Sequence, residues 1–180
     1  MSQSSSARVA AAVAGAFALL AGAATFLRRR QLRKGGPMED TKEIARRVLE
    51  GPWQGKLDEV LELVGDDYLA QVPGVPEPIR GKDGFREFVS SYLAGFPDGT
   101  ITINHQIAEG EFVATRWTGR ATNSGEFMGM PPTGKEVTIE GITYSRVADG
   151  KAHEAWIIWD TLSLMQQLGA VPEAAPARTT

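Results

Sequence analysis

Residues 136–169 read EVTIEGITYSRVADGKAHEAWIIWDTLSLMQQLG, which predicts two long strands, a tight turn and a closing helix. The first strand alternates between two faces, which carry Val137, Ile139, Thr143 and Val147 on one side and Glu140, Ile142, Tyr144 and Arg146 on the other. Asp149-Gly150 supplies the positive φ angles that a short hairpin turn requires. Asp160 is placed to cap the helix that follows, and Gly169 marks its end.

The return strand of this hairpin contains a pair of tryptophans. Trp156 and Trp159 are three residues apart, so they point to opposite faces of the sheet. Full exposure of either indole would be unfavourable. We therefore expect other parts of the chain to cover both faces.

The segment upstream predicts a small α+β domain. Apolar stripes at helical spacing indicate helices at about 40–50, 56–64 and 83–94. Asp40 and Glu43 fit a capping box at the start of the first helix. Alternating segments predict strands at about 67–72, 101–107 and 112–120, followed by the loop 123–135. Helix, helix, strand, helix and four antiparallel strands give a plan in which helices cover one face of a curved sheet.

Composition excludes several classes of site. The 180 residues include no cysteine and two histidines, His105 and His153, which argues against thiolate chemistry and a histidine-rich metal site. Six basic residues and no acidic ones precede Pro37, which leaves 13 basic against 22 acidic residues, a formal charge of −9. Because phosphate binding needs a basic face, we expect no nucleic-acid partner for the folded part.

The amino-terminal arm carries an unbroken run of apolar and small residues, 9–27, which is about 19 residues long and enough to span a bilayer as a helix. The basic cluster 28–34 follows it, and the positive-inside rule then places the downstream domain in the cytoplasm. A cleaved signal peptide and true initiation at Met38 are the alternatives, and the second would make the protein cytoplasmic. We favour a membrane anchor in residues 1–37, an α+β domain in 38–170 and a disordered tail in 171–180.

Several short motifs, in order between Glu39 and Ala170, resemble SnoaL-like proteins, the polyketide-cyclase or ester-cyclase branch of the nuclear-transport-factor-two-like superfamily. The segments that carry this resemblance are Gly81-Lys82-Asp83-Gly84-Phe85, Phe96-Pro97-Asp98, Ala114-Thr115-Arg116-Trp117, 125–135, Gly141-Ile142, Asp149-Gly150-Lys151 and Trp159-Asp160-Thr161-Leu162. The resemblance implies a conical α+β barrel, in which a curved, mainly antiparallel sheet wraps around helices and encloses one pocket. It also implies a homodimer packed through the sheets.

The resemblance further implies acid–base chemistry on a small hydrophobic carbonyl compound, without a cofactor or metal. Asp160 best matches the aspartate that relatives use near the end of the last strand, although it is equally placed to cap a helix. The other candidate pocket residues are His105, Arg116, Phe127, Met130, Glu140, Thr143, Ser145, Trp156 and Trp159. Several of these candidates also fit an ordinary structural role. His105 could lie in the core, and Arg116 could form a cross-strand ion pair with Glu140. Phe127 and Met130 could form a lid over the cavity or fill the core.

The chain departs from the family pattern in the return strand. Many relatives read Glu-His-Trp-Asp where this chain reads Glu154-Ala155-Trp156-Ile157, so a histidine and an aspartate are replaced by apolar residues. Two hypotheses follow. The first is a cofactor-independent cyclase or isomerase with Asp160 as the acid–base. The second is a non-catalytic, membrane-tethered module that binds a hydrophobic ligand or dimerises, with Asp160 occupied as a helix cap.

Overall fold

The computed structural model describes residues 37–172, which contain helices, a 3-10 turn and a sheet of six strands. The helices are α1 (Pro37–Glu50), α2 (Leu57–Leu61), α3 (Gly81–Gly95) and α4 (Thr161–Leu168), and the 3-10 turn is Gly51–Gln54. The strands are β1 (Val64–Gln71), β2 (Ile79–Arg80), β3 (Thr100–Glu109), β4 (Phe112–Thr122), β5 (Glu136–Ala148) and β6 (Lys151–Trp159). The predicted α+β class is confirmed.

The strands form one mixed sheet in the order β2-β1-β6-β5-β4-β3. The predicted antiparallel run from β3 to β6 is confirmed by continuous pairing of neighbouring strands. β1 extends the sheet by pairing in parallel with β6, and β2 pairs antiparallel with β1. This long-range parallel pair brings the first strand of the chain beside the last.

The hairpin that joins β5 and β6 follows the sequence prediction closely. Asp149 and Gly150 have φ angles of 49° and 80°, so both occupy the left-handed region that a tight hairpin turn requires. On β5, Val137 and Val147 are buried, whereas Ile142 and Tyr144 are exposed on the opposite face. The alternation predicted for this strand is therefore confirmed.

Three predicted boundaries upstream are wrong. Helix α1 begins at Pro37, so Asp40 lies within the helix and does not cap it; proline is favourable at a first helical position. Helix α2 ends at Leu61, and β1 already begins at Val64, three residues earlier than predicted. The cause is pairing with β6: the Ala152 N–H donates to the Leu63 carbonyl at 2.8 Å, and Val64 lies beside Ala152.

Helices α1 and α3 pack on the same face of the sheet, and the core divides into two clusters. The larger cluster lies between α1, α2, α3 and the middle of the sheet, and includes Val60, Tyr68, Phe85 and Val113. The smaller cluster includes Phe96, Phe127, Leu164 and Leu168 and closes the end near α4. Trp159 packs against both clusters and so joins them.

The proposed anchor, residues 9–27, lies outside the described residues, as do residues 173–180 of the proposed tail. Within residues 37–172, no helix is both long enough and apolar enough to cross a membrane. The anchor and the location of the domain therefore stay predictions.

Candidate ligand cavity

A cavity of about 140 Å³ lies between the inner face of the sheet and the helices that cover it. Its walls come from α1, α3, the 3-10 turn, α4 and all strands except β2. Most lining side chains are apolar, and the bulky ones are Leu49, Trp53, Phe85, Phe88, Ile101, Trp117, Ile139, Ile157 and Trp159. This volume is comparable to that of apolar cavities that bind small aromatic compounds.

The inward-facing polar groups of the cavity are neutral: they are hydroxyls and the indole N–H groups of its tryptophans. Thr143 and Ser145 lie two residues apart on the inner face of β5, and Tyr68 and Tyr92 contribute phenol groups from β1 and α3. Burial alone raises the pKa of Tyr92 to about 12 and raises that of Tyr68 further in the same direction. Both phenols are therefore protonated at neutral pH and are able to donate hydrogen bonds.

Trp117 is fixed against β5 by one hydrogen bond and one glycine. Its indole Nε1–H donates to the Thr143 hydroxyl oxygen at 3.0 Å, in a buried environment. The indole lies across Gly141, where an added Cβ would collide with the ring. Gly141 thus leaves room for a flat aromatic wall, and the hydrogen bond sets the orientation of that wall.

Charged side chains are scarce at this site. Among the described residues that line the cavity there is no carboxylate, imidazole or amine. Arg120 contributes to the wall, but it is exposed and alternates with the inward-facing Gly119 and Ala121 on β4, which directs its side chain to the outer face. Within residues 37–172, no group of three or more His, Asp or Glu side chains is arranged to hold a metal ion.

Three of the predicted pocket residues line the cavity: Thr143, Ser145 and Trp159. Ala155 and Ile157, the two positions at which the chain departs from the family pattern, also line it. The return strand therefore presents apolar groups to the cavity where a histidine and an aspartate were expected from the resemblance. The cavity therefore has no ionisable side chain at these two positions.

Asp160 lies outside the cavity wall, at the junction of β6 and α4. It is exposed, and its Oδ1 accepts the backbone N–H of Ser163 at 2.9 Å. Its own carbonyl accepts the N–H of Leu164 at 3.2 Å, which begins the helix. This is the geometry of an N-cap residue, as in the second of the two hypotheses.

Four other predicted pocket residues lie on the outer face of the sheet or at its surface, not in the cavity. Arg116 and Glu140 form an exposed cross-strand ion pair at 3.0 Å. Trp156 packs against Tyr144 on the outer face, with ring centroids 5.7 Å apart. A register shift between Ile103 and His105 breaks the alternation of β3 and leaves His105 exposed.

The remaining two predicted pocket residues, Phe127 and Met130, lie behind the cavity wall. The Phe127 ring is buried against Phe96 and Tyr92, with centroids 4.9 and 5.1 Å away. Met130 packs beside it in the smaller core cluster. The loop that carries them is held by buried Asn123, whose side chain donates to the Gly95 and Gly125 carbonyls and accepts from Thr133. These residues support Tyr92 and do not contact a cavity occupant directly.

The sequence prediction missed seven aromatic residues of the cavity: Trp53, Tyr68, Phe85, Phe88, Tyr92, Phe96 and Trp117. For Tyr92 the signal was present, since it belongs to the apolar stripe of α3. For Trp117 the signal was its alternation with exposed Arg116 on β4. Trp53 follows a helix end, and Tyr68 lies within an irregular part of β1, where pairing shifts between Val64 and Leu69.

Comparison with known proteins gives a coherent family assignment. The family description "SnoaL-like polyketide cyclase" matches residues 42–168. Aklanonic acid methyl ester cyclase DnrD of Streptomyces peucetius is 30% identical over 133 residues, which cover 71% of this chain and 89% of that protein.

Two solved structures extend the likeness to the fold. IdmH of Streptomyces antibioticus is 33% identical, with a TM-score of 0.63 and coverage of 72% of this chain and 98% of that one. AclR of Streptomyces galilaeus is 26% identical, with a TM-score of 0.68 and coverage of 77% and 87%. The predicted nuclear-transport-factor-two-like fold is thereby confirmed.

Proposed function

The chain belongs to the SnoaL-like polyketide cyclase family, and from this premise we propose that it binds a small hydrophobic carbonyl compound in its cavity. The family assignment supports a cyclase or isomerase type of role in general. The carbonyl group of the ligand is inferred from the family, and its hydrophobic character is inferred from the apolar lining of the cavity.

One observation carries the proposal: the cavity combines apolar walls with neutral hydroxyl groups. Aromatic rings line it on several sides, and Thr143, Ser145, Tyr68 and Tyr92 supply its internal polarity. Such a site favours a neutral, ring-containing compound with a few hydrogen-bonding oxygens. Transfer of a charged group into it would be unfavourable, because the lining offers no ionised partner from the described residues.

Ligand binding is tested with the full chain and 1-tetralone, a fused-ring ketone. Trp53, Trp117 and Trp159 line the cavity, so binding is expected to change tryptophan fluorescence saturably and to raise the melting temperature. Ala155→Leu adds side-chain volume inside the cavity and should abolish binding, while its far-ultraviolet circular dichroism spectrum should match that of the parent and so show that the fold is kept. Ala94→Leu, the same substitution at an exposed position of α3, is the matched control and should bind as the parent does.

A cofactor-independent cyclase or isomerase is the second candidate, and the similarity to an ester cyclase favours it. In that case a proton acceptor must reach the bound compound from outside the lining described above, since Asp160 caps α4. Conversion of a polyketide-like ester by the parent chain, and its loss in Asp160→Asn, would support this candidate and overturn the purely binding function.

We also propose that the outer face of the sheet binds a second copy of the chain. Large apolar side chains lie exposed on adjacent strands, with Ile142 at 51%, Ile158 at 61% and Ile107 at 64% exposure. Tyr144 connects them, because it stacks on Phe112 at 5.4 Å and contacts Trp156. A contiguous apolar patch of this kind is typical of an interaction surface.

Charges at the edge of this patch suit a two-fold interface. Arg116 pairs with Glu140 beside Ile142, and Arg146 pairs with Glu154 at 2.6 Å beside Trp156. Each copy thus presents both signs of charge around an apolar centre, which allows the same patch to face itself. Sedimentation of the full chain should show a dimer that Ile158→Glu dissociates, whereas Thr102→Glu, on the same sheet outside the patch, should leave it intact. A monomeric parent would overturn the proposal.

A further inference from the structure

Tyr68 and Ser145 carry the most deeply buried hydroxyl groups of the cavity that have no partner among the described residues. The Tyr68 side chain is 3% exposed and that of Ser145 is 7% exposed. Within the part of the chain that the structure describes, neither hydroxyl has a hydrogen-bond partner in the protein, in contrast to Thr143, which accepts from Trp117. A buried hydroxyl without a partner is unfavourable unless something else satisfies it.

These oxygen atoms open onto the cavity. In residues 37–172, every side-chain oxygen or nitrogen that is fully sealed from solvent has a partner. The Tyr68 and Ser145 hydroxyls have none, so they face accessible space, and both residues line the cavity. They are positioned to be satisfied by whatever occupies it.

The sheet register places the two residues on the same face of the sheet, two strands and two residues apart. Ser145 pairs with Ala155 on β6, and Ala155 pairs with Ala70 on β1, so one row crosses three strands. Tyr68 lies two residues before Ala70 and on the same face. Neighbouring strands are about 4.8 Å apart, and the alanines in the row have short side chains. Ala155, on the strand between the serine and the tyrosine, lines the cavity and presents only a methyl group there.

The chemistry of this pair selects its ligand. A tyrosine phenol and a serine hydroxyl each donate one hydrogen bond, and a carbonyl oxygen has two lone pairs to accept them. The walls around them are apolar, and Phe85 packs edge-on against the Tyr68 ring at 5.6 Å. A carbonyl group on an apolar ring system satisfies both hydroxyls and keeps the rest of the molecule in apolar contact.

We propose that Tyr68 and Ser145 form the specificity-determining pair of the cavity, and that they bind the carbonyl oxygen of a neutral ketone or ester. The inference rests on the proposed ligand-binding function. It adds the recognised group and the residues that recognise it. Protonated hydroxyl donors bind the oxygen without removing a proton from the compound.

The test compares 1-tetralone with tetralin, which has the same fused rings but no carbonyl oxygen. Binding of both probes to the full chain is measured by tryptophan fluorescence for the parent, Tyr68→Phe and Ser145→Ala. Each variant should weaken 1-tetralone binding about fivefold, the usual effect of one lost hydrogen bond, and leave tetralin within about twofold of the parent. Tyr144→Phe, which removes a phenol oxygen from the outer face, is the matched control and should change neither affinity.

The outcomes distinguish this inference from the function it rests on. If the parent binds both probes and the two variants alter both equally or neither, the pair does not recognise the carbonyl, although ligand binding stands. A loss confined to one of the two variants overturns the pairing. If neither probe binds the parent, ligand binding itself fails, and the inference fails with it.

Discussion

Replacing Asp160 with alanine and with asparagine separates a capping role from a chemical one. The Asp160 carboxylate accepts the Ser163 N–H at 2.9 Å at the first turn of α4. Loss of such a cap costs about 1 kcal/mol of unfolding free energy, so Asp160→Ala should lower the melting temperature by about 3–5 °C for a domain of this size. Asparagine retains an acceptor oxygen and is about as good a cap. Asp160→Asn should therefore lose at most about 0.5 kcal/mol, from the missing charge at the helix N-terminus.

The assay is thermal unfolding of the full chain near pH 7, followed by circular dichroism, with 1-tetralone affinity measured for each variant. Glu87→Ala is the control, because Glu87 is an exposed carboxylate on α3 without a hydrogen bond in the described structure. It should change the melting temperature by less than about 1 °C. Both Asp160 variants should bind 1-tetralone as the parent does, since Asp160 lies outside the cavity wall.

Two results would refute this reasoning about Asp160. If Asp160→Ala has the same melting temperature as Glu87→Ala and the parent, the carboxylate does not stabilise α4 through its cap. If Asp160→Asn is as stable as the parent yet loses a turnover that the parent shows, the carboxylate acts on a substrate.

Three further predictions concern packing and charge. Gly141→Ala places a methyl group against the Trp117 indole and should destabilise the fold by about 1–3 kcal/mol in urea unfolding. Gly110→Ala is the control: it lies at an open turn and should show only the cost of its positive φ. Asn123→Ala leaves the Gly95 and Gly125 carbonyls without their donor and should cost about 2–4 kcal/mol, with increased proteolysis of the 123–135 loop; an unchanged cleavage rate would contradict its anchoring role. The hydrogen bond from His153 lowers the pKa of Asp67, so this carboxylate stabilises the fold above its unfolded pKa of about 3.9 and ceases to do so as pH falls through the lowered value. The stability gap between the parent and His153→Ala should accordingly be present at about pH 6 and close below about pH 4; a gap independent of pH would contradict the pair.

Local sequence patterns were sufficient to predict the β5–β6 hairpin and which of its residues lie on each face. Strict alternation and Asp149-Gly150 fix the strands, the turn and the outward position of Tyr144. The alternation along each strand also indicates which side chains face outward, and the site prediction did not use it. Glu140 alternates with Ile139 and Gly141, and Trp156 is an odd number of residues from Trp159, so both belong to the outer face.

Other features depend on contacts that no local pattern reveals. The parallel pairing of β1 with β6 joins segments about 85 residues apart in the chain, and it decides where β1 begins. The shift between Ile103 and His105 changes the face of a histidine through a single irregularity in pairing. The hydroxyls of Tyr68 and Ser145 become one candidate site only because the row through Ala70 and Ala155 brings their strands together.

Hydrogen–deuterium exchange of 1-tetralone tests the central claim most directly. The full chain is mixed with a saturating concentration of this ketone in heavy water, and exchange at the carbon next to the carbonyl is followed by NMR beside a fluorescence titration. The account predicts saturable binding with exchange at the rate of buffer alone, since the described cavity lining contains no carboxylate, imidazole or amine to act as base. Exchange accelerated by the protein, and abolished by Ala155→Leu, would contradict it and establish proton abstraction within the cavity.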